Sequence, residues 1–188
     1  MNALVQTDNR RALVPMVAQA IADHAQYLTF MLGGEVFAVG ILAVKEIIEY
    51  GGLTEVPMMP ACIRGVINLR GAVVPVMDLS ARFGKEATAV TKRTCIVIVE
   101  IETAGGQQVI GMVVDAVNAV LEITASEIEP APTFGAKIRT DFIAGMGKVN
   151  GKFVILLNVD SVLSIGEMDA PGDFTANAPA ALVGAIEV

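Results

Sequence analysis

The side chains able to do chemistry are few and poorly spaced for catalysis. His24 is the single histidine and falls in an N-terminal extension, so a Ser-His-acid triad, a multi-histidine metal site and a phosphorelay histidine are excluded from the folded part. Cys62 and Cys95 have no C-x-x-C spacing and lie among Ile, Ala and Thr, the setting of reduced, buried thiols in a cytoplasm. The run GMGKVNGKF offers Gly145, Gly151 and Lys152 but lacks the spacing and the following Ser or Thr of a phosphate loop, and Asn150-Gly151 reads as a hairpin turn. Glu100 and Glu102 share a strand parity without an activating partner, which makes a solvated face and not an acid-base pair. Met58, Met59 and Met77 read as gap-filling packing. Arg70 stands apart: at a turn its guanidinium presents fixed donors suited to a carboxylate, although an ordinary solvated turn charge fits the same composition. No catalytic constellation, cofactor motif or metal-ligand set emerges.

The bulk properties point the same way. The chain has 188 residues, with 20 acidic against 13 basic side chains and a formal charge of −7, so it lacks the basic footprint that tracks phosphates, and nucleic acid is not an expected partner. With 54% hydrophobic and only 18% charged residues, it folds and carries more apolar surface than one small core hides, so an exposed apolar groove is expected. Asp115, Glu122 and Asp160 interrupt the longest apolar runs, which leaves no spanning helix and no direct membrane insertion. Arg10-Arg11 followed by ALVPMVAQAIA resembles a weak secretory signal, but Pro15, Gln19 and the late start count against one. Residues 1–24 read as a flexible amphipathic extension, 168–188 as an Ala-, Pro- and Gly-rich flexible tail, and 25–167 as the working domain.

Within that domain the punctuation is that of hairpins. YLTFML and EVFAVG flank Gly33-Gly34, CIVIVEI and QVIGMVVD flank Gly105-Gly106, and MGKV and KFVILLNV flank Asn150-Gly151, short Val-, Ile- and Phe-rich strands around turn residues. The chain also repeats itself. EVFAVGILAVKEIIEY at 35–50 lies over QVIGMVVDAVNAVLEI at 108–123, matching Val36 to Val109, Val44 to Val117 and Glu49 to Glu122, an offset of 73. Ile63-Arg64-Gly65 lies over Ile143-Ala144-Gly145, Gly71 over Gly151 and Asp78 over Asn158, an offset of 80. The simplest account is a duplicated module, two small barrels of about five strands each, meeting at a groove along a pseudo-twofold axis.

The densest stretch is PACIRGVINLRGAVVPVMDL, two strands turning at Arg70-Gly71. Pro75 removes a ladder donor from the second of them, so an open edge is expected there. ILAVKEIIEY fits either a short helix or a turn running into a strand. In it Val44 and Ile47, beside Lys45, Glu46 and Glu49, make either a docking stripe with a charged rim or ordinary core.

FMLGGEVFAVGILAVKEIIEY, MPACIRGVINLRGAVVPVMDL, GMVVDAVNAVLEIT and FIAGMGKVNGKFVILLNVDSVL, with the N-L-R-G-x-V-x-P-x-x-D-L pattern intact from Asn68 to Leu79, resemble the CheW family of chemotaxis coupling proteins over about residues 26–167. The resemblance implies an all-β fold of two interleaved five-stranded SH3-like barrels with short helices. It also implies a non-enzymatic, cytoplasmic adaptor joining the cytoplasmic tips of methyl-accepting chemotaxis receptors to the regulatory domain of the histidine kinase CheA, with no cofactor. Carried onto this chain, the implied partner-binding residues are Val44, Glu46, Ile47, Arg64, Asn68 and Arg70. A coupler of a non-flagellar chemosensory pathway is a variant of this reading. From a different class, a barrel binding a metabolite in its groove would need convergent polar groups that the sequence does not assemble.

Overall fold

A strand whose two faces are both apolar must be covered on both sides. That single requirement organises the molecule, described here by a computed structural model over residues 24–132 and 138–164. The run CIVIVEI of β6 (Cys95–Thr103) illustrates it: Ile96 and Ile98 face one core while Val97, Val99 and Ile101 face another. The expected hairpins form from β1 (His24–Leu32) with β2 (Glu35–Gly40), β4 (Ile63–Leu69) with β5 (Ala72–Asp78), β6 with β7 (Gly106–Val114), and β10 (Ile143–Val149) with β11 (Lys152–Leu157). ILAVKEIIEY resolves as a 3-10 turn, Ile41–Ala43, running into β3 (Val44–Glu49). Its counterpart is β8 (Ala116–Thr124), followed by the two-residue β9 (Ile128–Glu129). One-turn helices α1 (Leu79–Arg82) and α2 (Val159–Leu163) follow β5 and β11, each with its N-cap side chain, Asp78 or Asn158, accepting from helix N–H groups.

The repeat is real in three dimensions. β4 and β10 begin and end 80 residues apart, both with a bulge at the second residue, and both following turns hold a non-glycine residue at positive φ, Arg70 at 52° and Asn150 at 51°. The halves nevertheless exchange strands. One curled sheet runs β3-β6-β7-β5-β4 and the other β8-β1-β2-β11-β10-β9, so each takes a hairpin from one repeat and completes it with strands of the other. The exchange is sealed by two equivalent parallel pairings, Val76 with Gly111 and Leu156 with Ala38. The second sheet has a sixth strand only because β9 is long enough to count; in the first, a single bridge between Thr54 and Val66 does the same work of closing the curl.

Each sheet encloses a small core, Ile67, Val74, Val76, Ile96, Ile98 and Val113 in one and Ala38, Ile123, Val154 and Leu156 in the other. A larger core between the sheets includes Phe30, Phe37, Met77, Met112 and Phe142. Fully burying a side chain of this size contributes about 1.5–3 kcal/mol, and a run of neighbouring rings, Phe30, Phe37, Phe83 and Phe142 at 5.8–6.2 Å, crosses from one half to the other.

Three expectations are corrected. His24 belongs not to an extension but to β1, where it pairs in register with Thr124 and lies 2.7 Å from Glu122. Met77 is buried, but Met59 is exposed and Met58 stands wholly in solvent at φ 61°, because the loop between two Pro residues carries it outward. The expected open edge at Pro75 is present but short: Pro75 pairs with Val66 of β4, and β7 takes up the other side of β5 only from Val76 onward, past the missing N–H. Of the two cysteines only Cys62 is buried; Cys95 is half-buried. The expected extension up to residue 23 and the tail from 168 lie outside the described residues.

Candidate functional site

β3 is where the two halves of the expected site meet. A bulge between Val44 and Glu46 shifts its register on β6, so that Val44 lies opposite Val99 and Ile47 opposite Val97. Without the extra residue, positions 44 and 47 would point to opposite faces. With it, both take the face of Val97 and Val99. Val44 packs half-buried against the large central core, Ile47 is 42% exposed, and Leu42, in the turn that precedes the strand, is wholly exposed. The result is an apolar strip along β3. The bulged residue, Lys45, reaches Glu100 of β6 at 2.6 Å, which gives the acidic face of that strand a partner.

Glu46 takes the other face, opposite Ile98. There the β4–β5 turn comes round to meet it: Arg70 Nη2 donates to Glu46 Oε2 at 3.0 Å, with the Arg70 side chain 80% and the Glu46 side chain 25% exposed. Arg70 at positive φ followed by Gly71, also at positive φ, is the two-residue hairpin geometry that keeps the strands twisted together. Asn68 locks it by accepting the Gly71 N–H at 2.8 Å. The pair thus holds a solvent-exposed guanidinium over a carboxylate that is itself largely covered, on the face of β3 opposite the apolar strip.

Arg64 is placed differently. It is on β4 but not at the tip, and its guanidinium is turned inward onto Asp78 Oδ2, Nε and Nη2 both at 2.9 Å, and onto the Thr88 carbonyl. The structure therefore gathers Glu46, Asn68 and Arg70 at the β4–β5 turn, sets Val44 and Ile47 on the opposite face of β3, and leaves Arg64 in a separate network. Sequence reasoning missed three contributors: the bulge, the Lys45–Glu100 pair, and Asp78 with Thr88. Only Asp78 had a visible signal, an acidic residue just ahead of a helical turn. Among the described residues no cluster of three His, Cys, Asp or Glu side chains is placed to hold a metal, and no helix is long and apolar enough to cross a membrane.

Comparison with known proteins decides the family. The model of the CheW-like domain matches residues 26–167. The chain belongs to the CheW-like domain family. It is 36% identical over 143 residues to the chemotaxis protein CheW of Klebsiella aerogenes, covering 76% of this chain and 84% of that protein. It is 35% identical over 145 residues to the CheW of Rhizobium meliloti, covering 77% and 91%. In three dimensions it is similar to the scaffolding protein TtCheW of Thermoanaerobacter tengcongensis, with a TM-score of 0.66, 36% identity, and coverage of 73% of this chain and 86% of that one. The two curled sheets are thus the paired SH3-like barrels of CheW proteins, and the chain is a chemotaxis coupling protein, an adaptor of a family that works as scaffolds.

Proposed function

We propose that this chain joins the cytoplasmic tips of methyl-accepting chemotaxis receptors to the regulatory domain of the histidine kinase CheA, at membrane receptor arrays on the cytoplasmic side, without catalysing a reaction. Residues 25–167 are its working module. The observation that carries this reading is the Arg70–Glu46 pair, drawn together at the surface from the β4–β5 turn and β3, with the exposed Ile47 on the other face of the same strand. Val44, Glu46, Ile47, Asn68 and Arg70 form the receptor-facing surface, with Arg64 in support, and the exposed ends of the barrels receive the kinase.

Reconstitution tests it. Receptor cytoplasmic fragment and kinase are mixed with and without this chain, and kinase autophosphorylation is followed. Stimulation that requires all three components is the expected result; equal kinase activity with and without the chain, together with no co-sedimentation of the three, overturns the reading.

A further inference from the structure

The duplication offers an internal control, because each feature of one barrel can be compared with its counterpart in the other. The two β5-type strands end on the same backbone frame: Asp78 N donates to the Cys62 carbonyl at 2.7 Å, and Asn158 N to the Phe142 carbonyl at 2.8 Å. The side chains then diverge. Among the described residues the Asn158 side chain accepts only the Ser161 N–H, at 3.3 Å, and Ala144, exposed, stands where Arg64 stands in the other barrel. The Asp78 carboxylate is completely buried and collects six donors: the Ser80 and Ala81 N–H groups at 3.0 and 3.4 Å, the Thr88 N–H and hydroxyl at 2.8 and 2.9 Å, and both Arg64 nitrogens. Arg64 also donates to the Thr88 carbonyl. Three pieces of chain are tied at one point: the root of β4, the start of α1, and the segment that follows α1.

Stability alone does not explain this network. Replacing a buried ion pair by uncharged groups is often neutral or favourable, and the equivalent corner of the second barrel is built with neither charge. What separates the barrels is the far end of the same hairpin. In the first barrel the hairpin turns at Arg70, paired with Glu46; in the second, Asn150 and Ala119 occupy those positions. The buried clamp and the surface ion pair occur in the same barrel and are both replaced in the other. Arg64 and Arg70 lie on one continuous stretch, six positions apart, with the clamp at its base and the recognition charge at its tip.

We propose that Arg64, Asp78 and Thr88 act as a positioning clamp, holding the β4–β5 hairpin so that Arg70 is already in place when a partner arrives. This rests on Arg70 being a partner contact, and it assigns Arg64 a role behind the surface and not on it. Ordering a hairpin before binding removes that cost from the binding step.

The test copies the second barrel's chemistry into the first, in the double variant Arg64→Ala, Asp78→Asn, which avoids leaving a carboxylate buried and unpaired. Thr88→Val, which deletes only the hydroxyl bond to Asp78, is the milder version should the double variant not fold. Amide exchange and affinity for a receptor cytoplasmic fragment are measured well below the melting temperature, with Arg70→Ala in parallel. The expected result is a cooperative fold, faster exchange at 68–72 and 85–90, and affinity lower by about tenfold, the scale of ordering one long side chain anew. Wild-type affinity in the folded double variant, with Arg70→Ala weakened, overturns the clamp alone. Wild-type affinity in both overturns the Arg70 contact on which it rests.

Discussion

Removing the Arg70 guanidinium separates folding from binding. Arg70→Ala deletes a bond of 3.0 Å to Glu46 in which the arginine side chain is 80% exposed. Water screens such a pair, so its contribution to folding is about 0.2–1 kcal/mol. For a domain of this size that lowers the melting temperature by no more than about 4 °C. In a complex the balance changes. Glu46, only 25% exposed before any partner is present, is covered further by a partner seated on β3, and without Arg70 its carboxylate is buried uncompensated. Truncating one member of such a pair costs about 2–5 kcal/mol of binding, which is roughly 30-fold to several-thousand-fold in affinity. Calorimetric titration of a receptor fragment into the wild type, Arg70→Ala, Glu46→Ala and the double variant measures the coupling directly. A double variant that binds better than the two single losses combined supports a pair acting as a unit. A coupling energy near zero refutes that, and wild-type affinity in both single variants returns Arg70 to a solvated turn charge.

Three further outcomes follow from the geometry. Ile47→Asp places a charge on the exposed apolar strip and lowers receptor affinity by ~2 kcal/mol or more with little change in melting temperature; Val44→Asp, packed against the central core, loses stability as well, and equal effects from the two in thermal melts refute the assigned register. Gly65→Ala is destabilising by about 2–3 kcal/mol in urea titrations, because Gly65 sits at φ 146° and an added Cβ runs into the Thr54 carbonyl that closes the first barrel; a loss below about 0.5 kcal/mol means that the 51–56 segment yields freely. The Thr124 backbone N–H and hydroxyl, at 3.0 and 2.9 Å, hold the Glu127 carboxyl below its usual range. A depressed folded value means that its stabilising effect is present above the ordinary glutamate pKa and is lost as pH falls through the folded one. Carboxyl NMR should show the low midpoint, and Glu127→Gln should flatten that part of the acid limb of stability; a midpoint at the free-glutamate value contradicts the two bonds from Thr124.

What is encoded locally was legible before any coordinates. Hairpins at Gly33-Gly34, Gly105-Gly106, Arg70-Gly71 and Asn150-Gly151 depend on turn residues and on adjacent strands that meet with little loop entropy to overcome. The duplication was visible because a repeated fold needs apolar and turn residues at repeated positions, and the offset of 80 from β4 to β10 is the one the strands obey. The surroundings of Arg70 follow from the same local pattern, and the family resemblance brought Glu46 to it. Which repeat completes which barrel is another matter. Val76 meets Gly111 and Leu156 meets Ala38 across long separations, and strands so alike in composition carry no local mark of their partner; the choice is made by filling the core between the sheets. The face that Ile47 presents also escaped the sequence, because one bulged residue inverts the alternation on which such a reading depends. So did Arg64. An arginine next to a turn-forming hairpin reads as surface until Asp78, fourteen residues away, is found buried with Arg64 folded over it; a charge in water and a charge satisfying a buried carboxylate are the same letter, and only tertiary packing distinguishes them.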